Sequence, residues 1–303
     1  MKFIFWGMMM GVAILAASVA FAGEENTEEG WSPYSAGPIT AWTAPLVGKG
    51  KLAVQPIVSY SRTRGSFDNK GHQDSLPDGE KKSQASQQIF TQYGITDEWE
   101  VALQMIYQEN FRIQNDEKAH DQGFGDSYLF TRYEFLEEKS WMPEATALVQ
   151  LKMPTGKYEG LDPDMLETDA MGTGSWDPGV GINLTKTFKP FMIHADLVAS
   201  FPQTVRVDGV KTRYGNYLNY DLAVEYFLLK GFNLMMEVNG VSQGDTREDG
   251  EGIEDSHSRS LTLAPGIGWS NERIQTLVAY QRTILGTNAD VNDAVVATFI
   301  YTF

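Results

Sequence analysis

The sequence predicts an all-β protein: a transmembrane, antiparallel, up-and-down β-barrel of about twelve strands. Three observations point there. The last residues, Asn292 to Phe303, alternate with period two, placing Val295, Ala297, Phe299, Tyr301 and Phe303 on one face and Ala294, Val296, Thr298, Ile300 and Thr302 on the other. The same period recurs from Lys51 onward, with apolar and polar faces alternating in segment after segment. Connections between these segments alternate between tight turns and long polar loops, so every long loop falls at one end. A soluble sandwich alternates its faces too, but gives no reason for that asymmetry. Short turns on one side and long loops on the other describe an outer-membrane barrel.

The N-terminus supplies an address. Lys2, the apolar run Phe3 to Ala20, and Ala20-Phe21-Ala22 before Gly23 read as a cleaved signal peptide over residues 1–22. The acidic stretch from Glu24 to Glu29 favours cleavage after Ala22 over a retained anchor. Cysteine is absent, so neither a lipoprotein anchor nor a disulfide framework is expected. A formal net charge of -16 argues against nucleic acid as a partner, because phosphate contacts need basic groups. Residues 23–50, with Trp31-Ser-Pro-Tyr-Ser-Ala-Gly-Pro38 rich in turn formers, fit no regular element. They are read as a periplasmic arm or as a plug within the barrel, which occupies residues 51–303.

The strands follow in order. Leu52, Val54, Pro56, Val58 and Tyr60 give the first apolar face, which Pro56 weakens by removing a ladder donor. A polar loop of 63–82 leads to a Gln-rich second strand, 84–93, and the turn Gly94-Ile-Thr-Asp97. Trp99, Val101, Leu103, Met105 and Tyr107 make the third strand, followed by a charged loop over 113–122. The fourth presents Leu129, Thr131, Tyr133 and Phe135; the fifth Ala147, Val149, Leu151 and Met153; and the longest loop spans 155–175. Strands six and seven, around Val180 and Leu197, join at Lys189-Pro190. Strands eight and nine, around Leu222 and Met236, join at Lys230-Gly231. An acidic loop, 242–257, precedes strand ten, around Leu263. Strand eleven covers 274–284, and a short loop, 286–291, leads to the closing strand. Trp99, Phe191, Tyr226, Phe232 and Trp269 fall at the inner ends, and Tyr60, Tyr107, Trp176 and Phe201 at the outer ends, as two aromatic girdles require.

With the apolar face given to lipid, the opposite face lines the lumen. The pore-lining candidates are Gln104, Arg132, Glu134, Gln150, Lys152, His194, Asp196, Asp221, Glu225 and Glu237. Acidic groups outnumber basic ones, which predicts a hydrated, acidic lumen open to neutral solutes or cations. A closed interior knit by ion pairs around Arg132 and Lys152, in a structural or adhesive outer-membrane barrel, is the competing expectation.

Four motifs recur in order: Tyr93-Gly-Ile-Thr-Asp97, Gly123-Phe-Gly-Asp126, Leu151-Lys-Met-Pro-Thr-Gly156 and Gly172-Thr-Gly-Ser-Trp-Asp177. In that series and spacing the chain resembles the outer-membrane family named for the meta-pathway of phenol degradation, over nearly the whole length after residue 22. Met153 departs from the Leu such a motif leads one to expect. The resemblance implies a barrel passing small hydrophobic or aromatic compounds, with no catalytic residues to carry over; no nucleotide motif is present, so passive diffusion without a cofactor is expected. The terminal Phe299, Tyr301 and Phe303 resemble the signal read by the barrel-assembly machinery. Outer-membrane lipid and lipopolysaccharide are the remaining expected partners.

Two other chemistries have candidate residues in the loops. Asp255-Ser-His-Ser258 supplies the types a serine hydrolase needs, but in an acidic loop without a matching motif. The acidic loops around Asp162 and Asp249 offer oxygen ligands for calcium without a calcium-loop spacing.

Overall fold

The computed structural model describes Ser35, residues 37–228 and residues 231–303. The predicted signal peptide, the stretch 23–34 and Lys230 lie outside the described residues.

Among the described residues, twelve strands close into one antiparallel ring. The first six are β1 (Leu52–Phe67), β2 (Lys81–Gly94), β3 (Trp99–Gln114), β4 (Ser127–Leu136), β5 (Glu144–Met153) and β6 (Asp177–Phe188). The rest are β7 (Phe191–Ser200), β8 (Tyr217–Phe227), β9 (Phe232–Gln243), β10 (Ser258–Ser270), β11 (Ile274–Thr287) and β12 (Ala289–Thr302). Each pairs with its chain neighbour, and β12 closes on β1 with Tyr60 opposite Val295. Pairing across that seam lapses at Gln55 and Pro56, between Val54–Tyr301 and Ile57–Thr298. Proline has no N–H to give the ladder there. Side chains fill in: the Thr298 hydroxyl donates to the Pro56 carbonyl at 3.1 Å, and the Gln55 amide donates to Thr298 Oγ1 at 3.0 Å.

The period-two reading holds around the ring. Val58, Leu129, Val149, Val180, Leu197, Ile267, Val278 and Val295 point outward and are exposed, while Ala102, Phe130, Leu148, Ala223, Ala264 and Ala279 point inward and are buried. An exposed apolar belt of this extent would be a liability in water; against lipid it is the membrane-facing wall. Trp99, Phe191, Tyr226 and Phe232 are exposed at the short-turn end, and Tyr60, Trp176 and Phe201 at the long-loop end. The closing Phe299 and Phe303 also face outward, with Tyr301 edge-on to Phe303 at 4.7 Å.

Several connections differ from expectation; in the polar stretch 63–82, β1 runs on to Phe67 and Gln73–Ser75 pairs back on its end. The charged stretch 113–122 is not a loop: β3 runs to Gln114, Asn115 and Asp116 turn with φ of 50° and 67°, and Glu117–Phe124 returns along β3. Asn and Asp tolerate the left-handed conformations of a two-residue hairpin turn, which outweighs the charge of the flanking residues. Likewise, 286–291 is strand but for Asn288 (φ 47°), so β11 and β12 meet at a tight corner.

Wall height varies. β1 and β3 have 16 residues each, whereas β4, β5 and β7 have 10. On the low side, loop 154–176 turns back against the interior. The outer loops after β7 and β9 form a small sheet of their own, Val205–Val207, Val210–Arg213, Arg247–Glu248 and Glu251–Gly252.

Candidate functional site: the barrel interior

All ten candidate lumen residues lie on the inward face. Seven of them (Arg132, Gln150, Lys152, His194, Asp196, Glu225 and Glu237) are buried, while Gln104, Glu134 and Asp221 are half-buried. The expectation of a hydrated interior is therefore corrected at these seven positions. A buried charge needs partners, and here the partners come from three sources: neighbouring strands, the chain before β1, and an outer loop.

Neighbouring strands supply the first set. Arg132 Nη1 donates to Glu100 Oε1 at 2.8 Å across the β3–β4 ladder, with both side chains at 0–1 % exposure. His194 bridges Thr185, 2.9 Å from Nδ1, and Glu225, 2.9 Å from Nε2. Asn233 also donates to Glu225. Gln150 donates to Ser200 at 2.8 Å, Gln104 to Gln88 at 2.7 Å, and Asn239 to Asp221 at 3.0 Å.

The second set comes from residues 37–50, an irregular segment that offers backbone groups no ladder uses. The N–H groups of Ile39, Thr40 and Ala41 all donate to the Glu237 carboxylate. Trp42 N–H donates to Asp196 at 2.7 Å, Ala44 N–H to Thr185 at 2.8 Å, and Val47 N–H to Glu100 at 3.0 Å. In return, the Thr43 and Ala44 carbonyls accept from Arg132, and Ala44 also accepts from Thr146 at 2.7 Å. The segment thus reaches from β9 to β3 across the inside of the ring. Its indole enters an aromatic cluster: Trp42 lies 4.9 Å from Phe130 and 5.5 Å from Phe90, with the Arg132 guanidinium 4.9 Å over its ring. Ala102, Leu148 and Val198 complete this core, with Ile57 and Tyr128 against it.

The third set is built around Lys152. Its ammonium lies 2.7 Å from Asp177 and 3.5 Å from Asp126, and donates to Thr173 and to Ser175. Asp126 accepts from Gly156 N–H and Thr173 N–H, each at 3.1 Å, and Ser175 donates to Asp177 at 2.6 Å. Three of the four sequence motifs therefore converge on one ion cluster. The glycines explain their own presence: a Cβ on Gly172 would come within 2.3 Å of Asp126 Oδ1, and one on Gly156 within 2.6 Å of the Met171 carbonyl. From this anchor, loop 154–176 lies along inward residues of β3, where Asn110 donates to the Thr168 carbonyl at 2.9 Å and Arg112 to Glu167 at 2.8 Å.

Space remains opposite that loop. A cavity of about 310 Å³ is lined by Ser61, Ser260, Thr262, Gln281, Thr283, Ala289, Asp290, Asn292 and Ala294. Its lining is mostly hydroxyls and amides, with Ala289 and Ala294 between them, and save for Asp290 it is uncharged. Asp290 is itself held by Lys82 at 2.6 Å.

The hydrolase residues do not assemble. The Ser256 hydroxyl donates to the Ile253 carbonyl, and the His257 ring faces Asp245 at 3.2 Å rather than a serine. In the other acidic loop, Asp162 caps the short turn Pro163–Met165, and Asp169 accepts from Lys157 at 2.6 Å.

A model of the family described as "Putative MetA-pathway of phenol degradation" matches residues 47–296. The chain belongs to this family. Among solved structures, an outer membrane channel from Pseudomonas putida F1 is similar with a TM-score of 0.72 and 14% identity, over 88% of this chain and 99% of that one. The NanC porin is similar with a TM-score of 0.51 and 8% identity, over 82% of this chain and 98% of that one. At such identities the likeness is one of fold: a closed twelve-stranded barrel of the outer-membrane type.

Sequence reasoning missed Glu100 as the partner of Arg132, and it missed Phe90, Phe130 and Leu148 as an interior core. A signal was present, since each is a large apolar residue at an inward position, where the pattern otherwise places polar or small groups.

Proposed function

We propose that the protein is an outer-membrane channel for passive diffusion of small solutes, gated by its own residues 37–50. What carries this reading is how the interior is blocked. The obstruction is an irregular segment held by hydrogen bonds to inward side chains, and among the described residues its backbone pairs with wall backbone where Gly48 to Gly50 approach Gly94. Such a segment can leave while every pairing between wall strands is kept, at the cost of the Lys49–Gly94 bridge. Behind it, the cavity beside β10–β12 offers hydroxyls and amides that suit uncharged solutes. Because Glu100, Asp196, Glu225 and Glu237 are already bonded, selection by charge is weak along this path. Family membership supports hydrophobic or aromatic compounds as the cargo. Catalysis forms no part of the reading, since no nucleophile–base pair is assembled at the candidate triad.

The competing reading is a closed structural barrel, favoured by the paired burial of Glu100 with Arg132 and of Lys152 with Asp177. Liposome swelling separates the two. Proteoliposomes that swell in small neutral solutes, and faster once residues 23–50 are removed, support the channel; no swelling from either form supports the structural barrel. The outward Phe299, Tyr301 and Phe303 fit recognition by the assembly machinery, and the exposed outer loops fit contact with lipopolysaccharide.

A further inference from the structure

Where β1, β12 and β11 meet at the barrel seam, the outward face is ordered in rows. Val58, Ala297 and Val278 lie opposite one another, then Tyr60, Val295 and Tyr280, then Arg62, Asp293 and Arg282. Successive rows are two residues apart, about 7 Å along the strands, and neighbouring strands stand about 4.8 Å apart. Val58, Val278 and Val295 belong to the exposed lipid-facing belt, and Tyr60 and Tyr280 are exposed toward the long-loop end. This three-strand surface therefore passes from aliphatic to aromatic to cationic on its way out of the membrane.

Asp293 organises the last row. Its Oδ2 accepts from Arg64 Nε at 2.7 Å, and its Oδ1 accepts from Tyr280 Oη at 2.7 Å and from Arg282 Nη1 at 3.2 Å. Arg64 reaches this face because the ladder slips between Thr63 and Gly65, leaving it as the extra residue of a bulge. The carboxylate engages Arg64 through Nε, so the two terminal nitrogens of that fork remain available. Arg62 is exposed and has no ion pair among the described residues. Lys81, exposed one row further out on β2, has none either. Three guanidinium groups and one ammonium thus share a patch with one carboxylate, in a chain whose formal net charge is -16. On the far side of β2, Glu109 is engaged by His120 at 2.7 Å.

A cationic patch on the outside of a barrel wall needs an anionic neighbour in the membrane. Arginine facing lipid is strongly destabilising at the bilayer midplane and nearly neutral at the interface, while tyrosine rings prefer the headgroup region. The row beyond Tyr60 and Tyr280 therefore lies among headgroups. At the long-loop end these belong to the outer leaflet, where lipopolysaccharide carries phosphates on an acylated sugar. Guanidinium forks match phosphate oxygens in charge and in bidentate geometry. The rows below offer the acyl chains an aliphatic surface at the same seam.

We infer that Arg62, Arg64 and Arg282 form a binding site for a phosphate of lipopolysaccharide, with Lys81 beside it. Asp293 and Tyr280 position the site, because the carboxylate fixes two of the three arginines. The site lies on the wall rather than on the outer loops. It rests on the outer-membrane placement of the barrel and is independent of whether the lumen conducts.

Native mass spectrometry of the full chain, refolded in neutral detergent micelles and titrated with bisphosphorylated lipid A, tests the site. The parent is expected to retain one lipid A per barrel. R62S leaves every bond to Asp293 in place and is expected to weaken retention about tenfold, the scale of one charge-assisted contact. R62S with R282S is expected to weaken it about a hundredfold. R206S, which removes an exposed arginine from the outer-loop sheet, is expected to leave retention unchanged. Should R62S with R282S lose the mobility shift of a folded barrel, R62S with K81S replaces it with the same expected direction. Lipid A stripped of its phosphates is expected to bind no better than a zwitterionic phospholipid. Parent-level retention of the stripped lipid, or equal losses from R62S and R206S, overturns the site. Phosphatidylglycerol held as tightly as lipid A marks a general anionic-lipid surface and overturns the assignment to lipopolysaccharide. Liposome swelling recorded in parallel keeps the two readings apart. A barrel that never swells liposomes but loses lipid A with R62S keeps the site and defeats the channel; swelling with no retention of lipid A does the reverse.

Discussion

Glu100 and Arg132 stand directly opposite each other on β3 and β4, 2.8 Å apart and sealed from solvent. Both also hold the segment before β1, Glu100 through the Val47 N–H and Arg132 through the Thr43 and Ala44 carbonyls. Removing one partner strands the other charge in a buried site. R132M is therefore expected to lower barrel stability by about 3–5 kcal/mol, and the pair R132M with E100Q to regain much of that loss. Urea unfolding midpoints in lipid, read by the mobility shift of folded barrels, test both. A double variant no more stable than R132M contradicts the assignment.

Lys152 answers two carboxylates, Asp177 and Asp126, and through them fixes loop 154–176. K152M leaves two buried carboxylates without a cation, so a loss of about 3–5 kcal/mol is expected, with D177N as the partial rescue. The loop should also become protease-sensitive in K152M while the wall strands stay protected. Cleavage within 157–170 measures this.

Gly94 lets the segment dock against the end of β2. A Cβ there would come within 1.9 Å of the Gly48 carbonyl, where Gly50 N–H donates to Gly94 at 2.8 Å. G94A is expected to unlatch the segment and raise conductance toward that of the segment-deleted chain, because Gly94 ends its strand and the wall keeps its ladder. Conductance equal to the parent would show that docking at Gly48 does not hold the segment.

Asp169 gives loop 154–176 a pH dependence. Burial alone would raise its carboxyl, but the Lys157 ammonium at 2.6 Å and the Asp162 N–H at 3.0 Å outweigh it and hold it below the usual carboxylate range. A group depressed in the folded state stabilises above its unfolded value, about 3.9, and that contribution is lost as pH falls through the folded value. Loop amides should therefore be less protected, relative to their intrinsic exchange rate at each pH, below about pH 4 than at pH 7, while D169N is weakly protected at both. Exchange in D169N that matched the parent at pH 7 would contradict the linkage.

The wall was legible in the sequence because a strand next to lipid has one requirement, repeated every second residue. Val58, Val149, Val180 and Val295 could be assigned without knowing any partner. The connection at 113–122 misled because Asn115-Asp116 is a turn signal only two residues long inside a charged stretch. The interior was legible as a face but not as a set of contacts. Glu237 is satisfied by the N–H groups of Ile39 to Ala41, nearly two hundred positions away and in no regular element, so no period encodes the pairing. The Lys152 cluster lay between. Its members stood out as motifs, yet only the fold brings Asp126, Gly156 and Asp177 to one ammonium.

Residues 37–50 are proposed to close an otherwise conducting barrel. Single-channel conductance in planar bilayers, comparing the refolded chain with one lacking residues 23–50, tests it most directly. The account predicts small or intermittent conductance from the full chain and large, steady conductance from the shortened one. Equal conductance from the two, or a shortened barrel that folds and stays silent, would contradict it.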